Sequence, residues 1–261
     1  MERLLERGNS QFLVGILISY KERMEIGRES LSVGLCRRFP FGKEMLVTDR
    51  FDRDTNYWND YYSRSLNAQE PSLFAIFVYE KYMKKNEGKV LELGCGNGRD
   101  SLYFLKQGLE VTGIDASKVA IDELNIQNSS NTAAKFLCKD FVNINDEEIY
   151  DYCYSRFSMH AINEEQEDRV IKKIASKLKV GGFFFIEVRS VNDEIYGKGR
   201  CIGKNEYIWE NHYRRFICIS DLIRKLVESG FIIDFAAERR GFAPYRQENP
   251  FVIRVVAQKY I

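Results

Sequence analysis

From Val90 onward two patterns alternate along the chain: short continuous apolar runs, and polar stretches with apolar residues at helical spacing. Val90, Leu91 and Leu93 read as a strand buried on both faces. The "RDSLYFLKQGLE" behind them reads as a helix that Gly108 closes in the C-cap role. "LEVTGID" is a second strand, "SKVAIDELNIQ" a helix with Ser117 as N-cap, "KFLCKDF" a third strand and "YDYCYSRFS" a fourth. "NEEQEDRVIKKIASKLK" is a long amphipathic helix. Asn163 caps it with Gln166 three residues on, and Val170, Ile171, Ile174 and Leu178 form its stripe. "GGFFFIEVRS" is a fifth strand entered by a glycine turn, and "SDLIRKLVESG" a helix capped at Ser220 and ending at Gly230. "FIIDFAAERR" and "FVIRVVAQKY" close the chain as two strands around a loop with Pro244 and Pro250. The pattern predicts an α/β fold, a mainly parallel sheet with helices on both faces. The last two strands have no helix between them and should pair antiparallel.

Ahead of Val90 the pattern is weaker. "NYWNDYYSR" from Asn56 is dense in aromatics, and Pro71 opens a helix with Leu73, Phe74, Phe77 and Val78 on its apolar side. Residues 1–50 hold one apolar helical stretch and then "GLCRRFPFGKEM" without a period; they read as an N-terminal extension, with 51–261 as the main domain. "FLVGILIS", Phe12 to Ser19, is far too short to span a bilayer. It follows a mixture of Glu and Arg, no small-residue cleavage site comes after it, and a buried helix is the better reading than a secretory signal. Ser190 to Asn211 is long, glycine-dotted and aperiodic, as expected of a loop folding over a site.

Composition narrows the function classes. With 44% hydrophobic and 30% charged residues the chain is an ordinary soluble globular protein, and its net charge of +1 argues against a broad nucleic-acid-binding face; no membrane partner is expected. The six cysteines form no C-x-x-C pair and there are only two histidines, so no metal site is expected. Several of the cysteines fall in apolar runs, which suits buried thiols in a reducing cytoplasm.

The chemistry concentrates after the first strand. In "VLELGCGNGRDS" Gly94, Gly96 and Gly98 let the backbone take positive φ and let a ligand approach the main chain. A dinucleotide fingerprint would place its third glycine where Arg99 stands. Instead Glu92 precedes the glycines, Asp115 ends the second strand and Asp140, beside Phe141, ends the third. Three acids at successive strand ends suit a ligand with an amine, a ribose and an adenine, and no pyrophosphate. "LELGCGNG", "GIDAS", "KDF" and "LKVGGFFFIEV", in that order and spacing, resemble the successive motifs of the class I S-adenosylmethionine-dependent methyltransferases, over about residues 55–261. The resemblance implies a Rossmann-like, seven-stranded, mostly parallel sheet with an antiparallel last strand, and S-adenosylmethionine as cofactor. It implies Gly94, Cys95, Gly96, Asn97 and Gly98 against the methionine part, Asp115 on the ribose, and Asp140 with Phe141 at the adenine. Tyr62, Glu92, Ala116, Ser117 and Ser155 complete the expected cofactor contacts.

For the acceptor the signals are fewer. The N/D-P-P-Y/F motif of nucleic-acid amino methyltransferases is replaced by "YSRFSMHAI", no Pro-Cys nucleophile pair is present, and "ENPF" falls in the final hairpin. His160 and His212 are the candidate general bases. Arginines gather near His212, namely Arg189, Arg200, Arg214, Arg215, Arg239, Arg240 and Arg246. The guanidinium fork suits oxyanions, so the expected acceptor is a small anion contacted by Trp58, Arg156, Arg189, Tyr213, Arg214, Arg215 and Tyr245. "HYRRF" and "GFAPYRQENPFVIRV" are similar to a bacterial small-molecule branch near the thiopurine- and tellurite-type enzymes. Some relatives there decorate surface polysaccharides with methylated phosphoryl or phosphoramidate groups, which implies a possible O-methylation role in capsule assembly. An RNA methyltransferase and a catalytically silent cofactor-binding module are the rival readings.

Overall fold

The computed structural model describes residues 47–64, 70–83, 87–145, 147–210 and 212–261. The apolar stretch Phe12 to Ser19 and most of the expected extension lie outside the described residues. The first described helix, α1 (Val47–Ser63), contains the expected boundary after residue 50 and carries the aromatic stretch. In α2 (Leu73–Val78) Ser72 is the N-cap, its hydroxyl accepting the Ala75 N–H. Phe74, Ala75 and Val78 are its buried residues, whereas Leu73, expected on the apolar side, is 54% exposed. The stripe is centred on the i, i+4 pair Phe74 and Val78, and Leu73 lies one residue, about 100°, off it.

Strands and helices then alternate: β1 (Lys89–Leu93), α3 (Arg99–Lys106), β2 (Glu110–Asp115), α4 (Lys118–Gln127), β3 (Ala134–Cys138), β4 (Tyr150–Arg156), α5 (Glu164–Lys177) and β5 (Leu178–Arg189). Two of the three predicted N-caps form. Ser117 accepts the Ala120 N–H, and Asn163 and Gln166 make a reciprocal capping box. The small strands β6 (Arg200–Gly203), β7 (Glu206–Trp209) and β8 (His212–Arg215) precede α6 (Ile219–Glu228), β9 (Phe231–Arg239) and β10 (Val252–Lys259).

The main sheet has seven strands in the order β3-β2-β1-β4-β5-β10-β9, and β10 pairs antiparallel with both neighbours. Its central strands read as unbroken apolar runs because both faces are covered. Leu91, Leu93, Phe184, Ile186 and Val255 turn toward α5 and α6, joining Val170, Ile174, Leu222 and Leu226. Val90, Tyr154, Phe185 and Val256 turn the other way, toward Phe74, Val78 and Phe104. No described helix is long and apolar enough to cross a membrane.

Three expectations are corrected. The glycines of "GGFFF" form no turn: β5 begins at Leu178, directly after α5, and takes them up as a pairing irregularity opposite Tyr150 and Tyr152. Ser220 is not the cap of α6. Cys218 is, without a side-chain cap bond, and its thiol contacts the Ser220 hydroxyl at 3.1 Å. Ser190 to Asn211 is no plain loop, since β6, β7 and β8 form an antiparallel sheet of three strands. The thiols also divide: Cys95 and Cys153 are buried, whereas Cys138 and Cys201 are exposed.

Candidate active site

The site is built on the carboxyl ends of β1, β2, β4 and β5. After Leu93 the chain turns through Gly94 and Gly96 at φ of +72° and +54°, and the Gly94 and Cys95 N–H groups both donate to the Ile114 carbonyl. A Cβ on Gly94 would lie 2.6 Å from that of Ser158, and one on Gly96 would strike the Tyr62 hydroxyl. Backbone angle and space therefore both demand glycine here. Asp115 is buried behind this turn. One of its oxygens accepts the Gly96 N–H at 2.8 Å and the other the Ser117 N–H at 2.8 Å. Burial raises its pKa and those backbone donors oppose the rise.

Glu92 lies beneath the loop and accepts the Ser101 hydroxyl; burial and then the charge of Asp100 push its carboxyl well up. Cys95 is buried in the same place, and burial lifts its thiol well above the ordinary range. Asn97 and Ala116 are half-buried beside it. Ser155, at the end of β4, shares a 2.6 Å hydrogen bond with Ser158. Asp140 caps a short turn by accepting the Val142 N–H and the Asn143 amide, while the half-buried Phe141 packs against the core.

Helix α1 lies along these groups. Tyr62 faces Gly96, and burial followed by the charge of Asp115 pushes its phenol well up. The Asn59 carbonyl oxygen accepts the Ser117 hydroxyl at 2.8 Å and the Val119 N–H at 3.4 Å, so it joins the cap of α4. Less than one turn earlier, Tyr57 stacks on His212 with centroids 4.4 Å apart, and Trp58 meets the same imidazole edge-on at 5.3 Å.

The basic cluster divides by strand alternation. β8 pairs antiparallel with β7, Trp209 opposite His212, Tyr207 opposite Arg214 and Glu206 opposite Arg215. His212 and Arg214 thus share one face of the small sheet, and Tyr213 and Arg215 the other. Arg215 is buried; its Nε donates to the Ile162 carbonyl at 2.8 Å and its Nη2 pairs with Glu167 of α5, and burial brings its pKa down to about 10. Arg189 forks onto Asp193 at 3.2 and 3.1 Å and reaches Glu248 at 3.1 Å. Arg156 pairs with Glu187 at 2.8 Å, whose other oxygen takes Arg254 at 2.6 Å. Arg214 differs: its buried Nη1 has no hydrogen-bond partner among the described residues.

Both histidines carry a buried Nδ1 in the same condition. His160 lies in the turn after β4, two residues beyond Ser158 and therefore close to the glycine loop. Burial pushes its pKa well down, and Arg189, His212, Arg214 and Arg215 push it further. For His212 burial, then Arg214, brings the value down to about 4. Both rings are neutral at pH 7. Tyr245 is exposed in the β9–β10 loop and lies close enough to Tyr61 to raise its pKa, after burial as the larger cause.

A family model described as a methyltransferase domain matches residues 90–182, the stretch from β1 into β5 that holds the glycine turn, Asp115, Asp140 and His160. That stretch, about a third of the chain, is similar to methyltransferase domains. A probable S-adenosyl-L-methionine-dependent methyltransferase, TehB, of Haemophilus influenzae is 32% identical over 108 residues, covering 41% of this chain and 38% of that protein. The chain thus spans about two fifths of the length of that curated relative. Among solved structures, the Burkholderia thailandensis 1,6-didemethyltoxoflavin-N1-methyltransferase, with its substrate and S-adenosylhomocysteine bound, superposes with a TM-score of 0.66 at 18% identity, covering 85% of this chain and 94% of that one. TehB of Haemophilus influenzae superposes with 0.58 at 21% identity, covering 77% and 67%. The fold is that of the class I S-adenosylmethionine-dependent methyltransferases.

The structure brings Tyr62, Asp115 and Ser117 to the glycine turn, and Trp58 to His212. It gives Arg156, Arg189 and Arg215 to carboxylates instead of leaving them open. Asn59 and Trp209 carry contacts that the sequence reading passed over. For Trp209 periodicity carried no signal, since "YIWENHYRR" runs three apolar residues together and does not alternate.

Proposed function

We propose that the chain is an S-adenosylmethionine-dependent methyltransferase whose acceptor is a small anion bearing a carboxylate, phosphate or phosphoramidate. The single observation that carries the acceptor class is Arg214 Nη1, a buried cationic donor without a hydrogen-bond partner among the described residues, beside two neutral imidazoles. A buried donor without a partner costs about 1–3 kcal/mol, and an anionic ligand supplies the missing bond. The cofactor half fits S-adenosylmethionine on its own terms. The turn at Gly94 and Gly96 is a cradle that any Cβ would fill, and Asp115, with two oxygens each holding one backbone donor, keeps lone pairs for ribose hydroxyls. Asp140 and Phe141 are assigned to the adenine. When bound, the cofactor supplies an activated methyl group on a sulfonium.

This chain's residues then have two tasks. Arg214 orients the acceptor by its charged group, and holding the acceptor in line is where most of the rate of a displacement comes from. His160 or His212, neutral and with a buried ring nitrogen open, accepts the proton of a hydroxyl acceptor; an acceptor oxygen that is already an oxyanion needs no base. The similarity to bacterial small-molecule enzymes extends the reading to O-methylation of cytoplasmic precursors of surface polysaccharides. Incubation with methyl-labelled S-adenosylmethionine and a panel of carboxylates, phosphate esters and phosphoramidates tests it. Label should enter at least one anionic member, and labelling confined to neutral compounds or RNA would overturn the acceptor class.

A further inference from the structure

The arginines of this region are held in two different ways. Arg189 and Arg215 are fixed by carboxylates, which hold a guanidinium still and neutralise it together. Among the described residues Arg214 has no such pair. Its guanidinium lies over the indole of Trp209, 5.4 Å from the centroid, and the Lys198 ammonium lies over the same ring at 5.4 Å. An aromatic ring holds a cation by its face without cancelling the charge. A guanidinium resting on a ring keeps its N–H bonds at its edge, which is the edge that a carboxylate or phosphate grips. Trp209 is suited to this by register, since it stands directly opposite His212 in the β7–β8 pair, diagonal to Arg214 on the same face.

We propose that Trp209 is a positioning residue for the acceptor: its ring holds the Arg214 guanidinium in place with its charge intact, so that Nη1 meets the acceptor's anionic group already oriented. The proposal rests on the reading of Arg214 as the anion contact. A free arginine loses rotamer freedom on binding, and one restrained beforehand has less to lose.

The test titrates the chain, saturated with S-adenosylhomocysteine, with inorganic phosphate in a calorimeter. Trp209→Leu should weaken phosphate binding about fivefold to tenfold, and Trp209→Phe, which keeps a ring, by about twofold. Arg214→Ala should abolish it, and affinity for S-adenosylhomocysteine should be the same in all three. Should wild type fail to bind phosphate, or Arg214→Ala bind it as tightly, the anionic reading itself falls. Should Arg214→Ala lose phosphate while Trp209→Leu keeps it at full strength, only the role of Trp209 falls. A second measurement does not depend on the leucine variant folding. The chain has two tryptophans, so Trp58→Phe leaves Trp209 as the sole tryptophan, read by excitation at the red edge where tyrosine does not absorb. Phosphate should then change its fluorescence, with no response once Arg214→Ala is added; constant emission at saturation would overturn the proposal.

Discussion

The two halves of the site are made differently. Around Gly96 the groups are main-chain amides and short acids, and the bonds close within the half: Asp115 to Gly96 and Ser117, Glu92 to Ser101. Around His212 the groups are long side chains on a small sheet, and buried nitrogens of His160, His212 and Arg214 have no hydrogen-bond partner among the described residues. A half built from backbone fits one fixed ligand. A half built from side chains can be changed to fit another by a few substitutions. The contrast also separates two neighbouring arginines: Arg215 pairs with Glu167, and Arg214 has no such pair among the described residues.

The largest expected effect comes from that second arginine. Arg215→Ala leaves Glu167 buried, and breaking such a pair costs about 3–5 kcal/mol; Lys225, 3.2 Å from Glu167, holds the loss to the lower end. Urea unfolding should show it, and an unchanged midpoint would mean the pair contributes nothing. Next is Asp115→Ala, with each lost charge-assisted bond to the ribose worth about 1.5–3 kcal/mol. Calorimetry should find cofactor affinity lowered by that amount and phosphate binding intact, and equal losses of both would erase the division between the halves. Arg214→Ala should do the reverse. Methyl transfer to an anionic acceptor drops about tenfold or more while cofactor affinity stays, with Arg214→Lys only a partial rescue.

Protonation gives a smaller, graded effect. The folded pKa of His212, about 4, lies below its unfolded value, so between the two the unfolded chain binds the extra proton. Its contribution to stability is therefore complete above the unfolded value near 6.5 and is lost as pH falls toward 4. His212→Phe should flatten that slope in urea midpoints measured across the window. Smallest of all, amide exchange over residues 55–64 should slow when S-adenosylhomocysteine binds, since Asn59 and Tyr62 touch its half of the site. Equal exchange with and without it would reduce α1 to a cover for the sheet edge.

What could be read from the sequence follows the same division. The strands at Val90 and Phe184 were legible because both faces are apolar, and the glycine turn because its chemistry is local in sequence. The small sheet was not: four-residue strands with charged and aromatic residues on both faces carry little periodic signal. Nor was the fate of Arg156, whose partner Glu187 lies on the neighbouring strand β5 and shares its charge with Arg254 of β10. Proximity in sequence suggested one basic cluster; the two-residue period of β8 divides it. Asn59 was hidden among rings, and its role depends on the distant Ser117.

The reversed strand has a consequence for how such a protein diversifies. Because β10 runs against its neighbours, Val252 at its start pairs with Arg189 and Arg239 at the ends of theirs. The connection over residues 240–251 therefore lies at the rim formed by the carboxyl ends of the neighbouring strands, where the exposed Glu248 pairs with Arg189 and Tyr245 acts electrostatically on Tyr61. Doubling the length of a flexible connection costs only about 0.6 kcal/mol in closure entropy. Insertions or deletions at this one hairpin can thus reshape that rim while the glycine turn, three strands away across the sheet, keeps its shape.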